Sequence, residues 1–311
     1  MNLLTRDELL TKRIGVLMGG LSAEREVSLK TGQAVLEALK KAGYVAIAVD
    51  VGHDIAERLK EEKVEVAFVA LHGRFGEDGR VQGLLEMLRI PYTGSGVMTS
   101  SMAIDKVMTK QVLLYHELPT PGYDFIRPGD SATSLLERCN HLPLIVKPSR
   151  EGSTIGITIA RSMESLKQGI DTAAQLDGTV LVEDFIDGDE LTVSVLNGEA
   201  LPIIQIVPKS GFYDYRAKYL SGDTAYLLPA PIDAISYRQV QQAAVKAYQV
   251  LGCRGAARVD FMFREREFYC IEVNTIPGMT KTSLLPKAAQ HAGIDFVKLV
   301  EMMLLDVGLD K

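Results

Sequence analysis

The chain has 311 residues, which at roughly 100–200 residues per domain suggests two or three domains. Hydrophobic residues make up 47% and charged residues 24%, values that suit a globular chain with a large core and exclude a disordered or disulfide-stapled one. Lys and Arg total 34 against 40 Asp and Glu, a net charge of -6 that argues against nucleic acid or an anionic membrane as partner. Residues 1–12 precede the first strand, and Thr5-Arg6-Asp7-Glu8 can cap a short extra helix. Arg13–Met18 reads as a strand ending in Gly19-Gly20. A helix follows with Ser22 as its start signal and Val27, Thr31, Ala34, Val35 and Ala38 at helical spacing. Strands at 45–51 and 64–71, helices at 55–63 and 80–88, and a last strand at Ile90-Pro91-Tyr92 complete an alternation that predicts a parallel α/β sheet.

A helix is expected over 105–117, and Pro119-Thr120-Pro121-Gly122 reads as a boundary. Strand 144–147, glycine loop 150–156, strand 157–160, helix 163–176 and strand 180–184 form an α+β module. The third segment has strands at 190–196 and 201–207 and a tyrosine-rich loop at 209–225. A long helix at 234–251, two more strands and two helices close the chain. No apolar run approaches the roughly 20 residues of a spanning helix, and the N-terminus has no signal-peptide pattern. Cys139, Cys253 and Cys270 are scattered without a CxxC, so they read as reduced thiols of a cytoplasmic protein and not as a metal site.

Residues 258–274 carry the most specific arithmetic. An antiparallel hairpin centred on Arg266 pairs residues whose numbers sum to 532, so Asp260 faces Glu272 and Arg258 faces Asn274. The opposite face then carries Val259, Phe261, Phe263, Tyr269, Ile271 and Val273. Two carboxylates and an amide oxygen on rigid strands suit Mg²⁺, which completes its shell with water and phosphate oxygens. A solvated sheet face with Arg258 bridged to the acids fits the same pattern. Lys147, at a strand end before Gly152–Gly156, suits a phosphate, although an ordinary turn reads the same way. Glu24, after Gly19-Gly20, suits an ammonium group or a capped helix. His72 opens a glycine-rich loop and on its own reads as a turn residue.

Taken together, six segments resemble the D-alanine–D-alanine ligase family of the ATP-grasp superfamily. They are Gly19-Gly20-x-Ser22-x-Glu24, Leu71-His72-Gly73-Arg74-x-Gly76-Glu77-Asp78-Gly79, Pro91–Gly96, Lys147–Ser153, Phe212–Tyr219, and Glu272-x-Asn274-Thr275-x-Pro277-Gly278-Met279-Thr280-x-x-Ser283. They run in family order over roughly residues 13–290. The resemblance implies an ATP-grasp fold: a parallel α/β domain at 1–94 and two α+β domains, 95–184 and 185–311, clasping ATP. It implies that Lys106 and Lys147 contact ATP phosphates under a loop bearing Ser153, with Glu183 and Glu190 at the adenine and ribose. Asp260, Glu272 and Asn274 would hold two Mg²⁺, with Mn²⁺ as the alternative ion. Glu24 would hold the ammonium of the first D-alanine, Lys218 and Ser283 the carboxylate of the second, and His72 would be a further substrate-binding residue. Arg258 and the Gly278 N–H would stabilise an oxyanion, and Glu24, Ser153 and Tyr219 would form a linked edge. The implied reaction joins two D-alanines through an acyl phosphate, releasing ADP and phosphate, for peptidoglycan synthesis by a homodimer.

Overall fold

A computed structural model describes residues 4–139, 141–152, 155–208, 224–280 and 282–311. The chain opens with helix α1 (Arg6–Leu10), closed at its start by a reciprocal capping box between Thr5 and Glu8. Strands β1 (Arg13–Gly19), β2 (Val45–Val51) and β3 (Val66–Val69) form a parallel sheet of order β2-β1-β3, wound by α2 (Arg25–Lys41), α3 (Ile55–Glu61) and α4 (Arg80–Leu88). The strand expected at 90–92 is reduced to a bridge of Tyr92 to Ala67 on one side and Gly308 on the other. Pro91 has no N–H to extend the ladder, though its carbonyl accepts from Ala67. Helix α2 starts later than Ser22 predicts. The Ser22 hydroxyl instead donates to the His72 carbonyl at 2.6 Å, tying two loops together at the top of the sheet.

The stretch expected as one helix over 105–117 is preceded by another: α5 (Val97–Ile104) and α6 (Lys106–Tyr115) meet at Asp105. Asp105 is extended, and its carboxylate caps α6 by accepting from the Val107 and Met108 N–H groups. Next come β4 (Tyr123–Ile126), α7 (Ala132–Arg138), β5 (Leu144–Pro148), β6 (Thr158–Ala160), α8 (Met163–Leu176) and β7 (Val180–Asp184). The strands form an antiparallel sheet of order β4-β7-β5-β6. Leu144, Val146, Val180 and Val182 pack on α8 through Leu166, Ile170 and Ala173. Alternation therefore turns Ile145, Lys147, Leu181 and Glu183 to the other face.

The last segment holds β8 (Asp189–Leu196), β9 (Glu199–Ala200), β10 (Ile204–Pro208), β11 (Thr224–Leu227), α9 (Ala234–Val250), β12 (Ala256–Arg264) and β13 (Glu267–Asn274). Its sheet runs β11-β10-β8-β12-β13, with β9 paired to β8, and α9 buries Val240, Ala244 and Ala247 against Val193, Val259 and Phe261. Two final helices, α10 (Leu284–His291) and α11 (Phe296–Leu304), return to the first unit. Leu285, Leu299 and Leu304 share a core with Ile14, Val35 and Phe68. Leu9 of α1 is fully buried in that same core, and Arg6 bridges Glu301 of α11 at 2.8 Å, so residues 5–10 belong to the fold. No helix among the described residues is long and apolar enough to cross a membrane.

Candidate active site

The β12–β13 pairing brings Arg258 opposite Asn274 and Asp260 opposite Glu272, as the alternation predicts. Beyond Asp260 the single register does not hold. A bulge at Ile271 shifts the pairing to Phe261 with Cys270 and Phe263 with Phe268, so Cys270 and Phe268, not Tyr269 and Ile271, join the apolar face. The turn at Glu265-Arg266 puts both residues at positive φ, 53° and 71°, the geometry of a two-residue hairpin loop. Asp260 is held by several donors. Thr192 Oγ1 lies 2.6 Å from Oδ1, Arg258 Nη2 2.8 Å from Oδ2, and Asn274 Nδ2 3.1 Å from Oδ2. Each charge-assisted contact fixes the carboxylate on the cleft face.

A cleft above this hairpin gathers residues from distant segments. Glu24, His72, Glu77 and Gly152 line one side, and Arg258, Glu272, Asn274, Gly278 and Ser283 the other. The first side is acidic. His72 is buried with Nδ1 3.6 Å from Glu77 Oε1 and Nε2 3.2 Å from the Thr31 hydroxyl. Burial works against the His72 proton, yet the Glu77 and Glu24 carboxylates outweigh it and hold the imidazole above its ordinary pKa. Burial likewise pushes Glu77 up, against the pull of His72. Three loops close here around Glu24. A methyl group at Gly73, where φ is +69°, would stand 2.9 Å from Glu24 Oε2, and one at Gly152 would stand 3.0 Å away. On the other side Arg258 stands near the start of α10, where Ser283 Oγ accepts from the Thr280 N–H at 3.0 Å. Such a cleft matches the ammonium and the carboxylate of a small amino acid at opposite ends.

An adjoining cleft is lined by Lys106, Glu151, Gly152, Glu272 and Asn274. Lys106 Nζ donates to the Glu151 carbonyl at 2.8 Å and lies 3.6 Å from Glu272 Oε2. The loop is anchored where it leaves β5: Asp177 accepts from the Arg150 backbone and guanidinium, and Ser149 Oγ donates to Asp105 Oδ1 at 2.8 Å. Lys147 of β5 and Glu183 of β7 meet in an ion pair, both almost fully buried, and Lys110 of α6 approaches the same carboxylate at 2.8 Å. Burial opposes the Glu183 charge, but the two ammonium groups outweigh it and hold the carboxyl below its usual range.

Residues 51–95 match the family described as D-ala D-ala ligase N-terminus, and residues 113–305 the D-ala D-ala ligase C-terminus. A D-alanine–D-alanine ligase of Syntrophotalea carbinolica is 56% identical over 306 residues, covering 98% of this chain and 99% of that protein. The chain belongs to the D-alanine–D-alanine ligase family. A ligase of Citrifermentans bemidjiense is 50% identical over 96% of both chains. The Bacillus anthracis D-alanine–D-alanine ligase solved as a complex with ATP superposes with a TM-score of 0.84 at 35% identity, over 95% of this chain and 97% of that one. The ATP-grasp fold expected from the motifs is therefore the fold of this ligase.

Of the residues the motifs single out, the first cleft brings together Glu24, His72, Arg258, Glu272, Asn274, Gly278 and Ser283, with Asp260 on the strand beneath and Lys106 in the adjoining cleft. Lys147 and Glu183 lie together but engage each other. Glu190 is at the start of β8, opposite Met262, apart from that cleft. Ser153, Lys218 and Tyr219 lie outside the described residues. Sequence reasoning passed over Glu77, Thr192 and Lys110. A signal for Lys110 existed: Lys106 and Lys110 stand four apart on one helix, a repulsive spacing that calls for an acid from elsewhere.

Proposed function

We infer that the protein joins two D-alanine molecules into D-alanyl-D-alanine, converting ATP to ADP and phosphate for peptidoglycan synthesis. The observation that carries this reading is the cleft polarity: Glu24 and Glu77 on one side, Arg258 and the start of α10 on the other, with Lys106 and Glu272 beside them. A carboxylate does not acylate an amine at a useful rate because oxide is a poor leaving group. Phosphorylation of the first D-alanine carboxylate makes phosphate the leaving group, and the amine of the second D-alanine then attacks the acyl carbon. Glu24 orients the first ammonium. Arg258 and the Gly278 N–H stabilise the oxyanion of the tetrahedral species, a role worth roughly 3–4 kcal/mol per donor. Lys106 and Lys147 bind the polyphosphate, and Lys218 with Ser283 takes the second carboxylate. Glu183 and Glu190 border the adenine and ribose, and Ser153 and Tyr219 close the edge with Glu24.

The donor set fits Mg²⁺. Asp260, Glu272 and Asn274 offer hard oxygens on one face, while the described residues hold no cluster of three or more His, Cys, Asp or Glu side chains able to enclose an ion. A site of few carboxylates leaves room for water and phosphate oxygens, the coordination Mg²⁺ prefers. Two such ions, when bound, supply charge neutralisation to the transferring phosphoryl group. The boundaries at 94/95 and 184/185 are supported by one sheet falling in each segment. Three unpaired buried thiols support a cytoplasmic location, and exposed Met87 and Met98 on adjacent helices offer an apolar face for a homodimer, which sedimentation would test. The reaction is tested by phosphate release from ATP and Mg²⁺. Release that requires D-alanine supports it, and equal release without D-alanine overturns it.

A further inference from the structure

Glu183 is an anion shared by two cations. It projects from β7 on the same sheet face as Lys147 of β5, because Ile145 pairs with Glu183 and Lys147 with Leu181, which makes the two diagonal neighbours. From the other side Lys110 of α6 reaches its second oxygen at 2.8 Å. All three side chains are nearly excluded from solvent, at 0% exposure for Lys110, 1% for Glu183 and 4% for Lys147. Lys110 is held in turn. Its ammonium donates to Thr120 Oγ1 at 2.6 Å, and that hydroxyl donates to the Cys270 carbonyl at 2.8 Å on β13, the strand that carries Glu272 and Asn274. Its ammonium also lies over the Tyr123 ring, 5.4 Å from the centroid.

The charge count gives the arrangement its meaning. One carboxylate and one ammonium would make a closed neutral pair, and moving Lys147 toward an incoming anion would strand a buried carboxylate, a severe penalty. A second ammonium removes that penalty. We propose that Lys110 is a positioning residue for nucleotide binding: by balancing the Glu183 charge it frees the charge of Lys147 for the polyphosphate, and through Thr120 it anchors the cluster to the strand bearing Glu272. The proposal rests on the phosphate role of Lys147 given above. Burial draws the Lys110 ammonium below its ordinary pKa, and the Glu183 carboxylate opposes that shift.

Calorimetry with MgADP and with adenosine tests this on the full chain. Lys147→Ala is the control for the underlying reading: unchanged ADP affinity in that variant overturns the phosphate role of Lys147 itself. Given a loss there, Lys110→Met is expected to weaken ADP about tenfold and adenosine less than about twofold, a split that a general loss of packing would not produce. Lys110→Arg should stay within about threefold of wild type for ADP. In a Glu183→Gln background, which lacks the anion that captures Lys147, Lys110→Met should change ADP affinity by less than about twofold relative to Glu183→Gln alone. If Lys110→Met does not fold alone, Lys110→Arg and the comparison within the Glu183→Gln background decide. Unchanged ADP affinity in Lys110→Met, or a further loss of about tenfold when Lys110→Met is added to Glu183→Gln, overturns the proposal while leaving the role of Lys147 intact.

Discussion

Asp260 and Glu272 face each other across the β12–β13 pairing, yet their surroundings differ. Asp260 is buried and oriented by contacts from Thr192, Arg258 and Asn274, whereas Glu272 opens on the cleft, 3.6 Å from Lys106. The first is fixed in place, and the second is the group placed to respond to a ligand.

Replacing Glu272 with Gln keeps the shape and removes one charge. Turnover at saturating Mg²⁺ should fall about a hundredfold or more, with the melting temperature nearly unchanged, because the side chain lies on a polar cleft face and not in a core. Near-normal turnover would remove Glu272 from the metal set.

Glu24 is the acid that two glycine loops approach, at Gly73 and at Gly152. Glu24→Gln should raise KM for D-alanine by about tenfold or more, since a charge-assisted contact to an ammonium is lost, while ATP affinity stays within about twofold. Steady-state kinetics with each substrate varied separates the two.

Residues 5–10 are part of the fold through Leu9, fully buried among Ile14, Val35 and Leu299. Leu9→Ala should lower stability by roughly 2–5 kcal/mol in urea unfolding while the folded enzyme turns over normally. A loss under about 0.5 kcal/mol would detach this helix from the core.

Glu301 gives a pH signature. Hydrogen bonds from Arg6, then Lys298, outweigh partial burial and, with Tyr44, hold its carboxyl down to about 2, from 4.5. A carboxyl depressed in the folded state stabilises fully above the unfolded value and loses that contribution as pH falls through the folded one. Glu301→Gln should therefore cost on the order of 1 kcal/mol at neutral pH, and the gap to wild type should narrow below about pH 4.5. A gap that widens on acidification would contradict the assignment.

The sequence pattern reached the Asp260–Glu272 pairing because alternation and a short charged turn leave few registers. It did not reach the bulge at Ile271, which re-aims β13 so that Cys270 enters the core, since a bulge answers to tertiary packing. Helix α5 escaped notice because it buries Thr99, Ser100 and Ala103 while exposing Met98, the reverse of an amphipathic pattern. Strand β4 and helix α7 are short and carry weak periodicity. Helix 163–176 and strand 180–184 were legible to the residue, as each has clear period and punctuation. The partner of Lys147 was not, for no local signal says that a helix 37 residues upstream delivers Lys110 to the same carboxylate.

Ligation through an acyl phosphate moves a carboxylate oxygen of D-alanine onto the phosphate, and isotope labelling follows that oxygen. D-Alanine labelled with ¹⁸O in its carboxylate is incubated with ATP, Mg²⁺ and the enzyme, and the inorganic phosphate is analysed by mass spectrometry. One ¹⁸O is expected in the phosphate for each D-alanyl-D-alanine formed. Unlabelled phosphate accompanying dipeptide formation would contradict it.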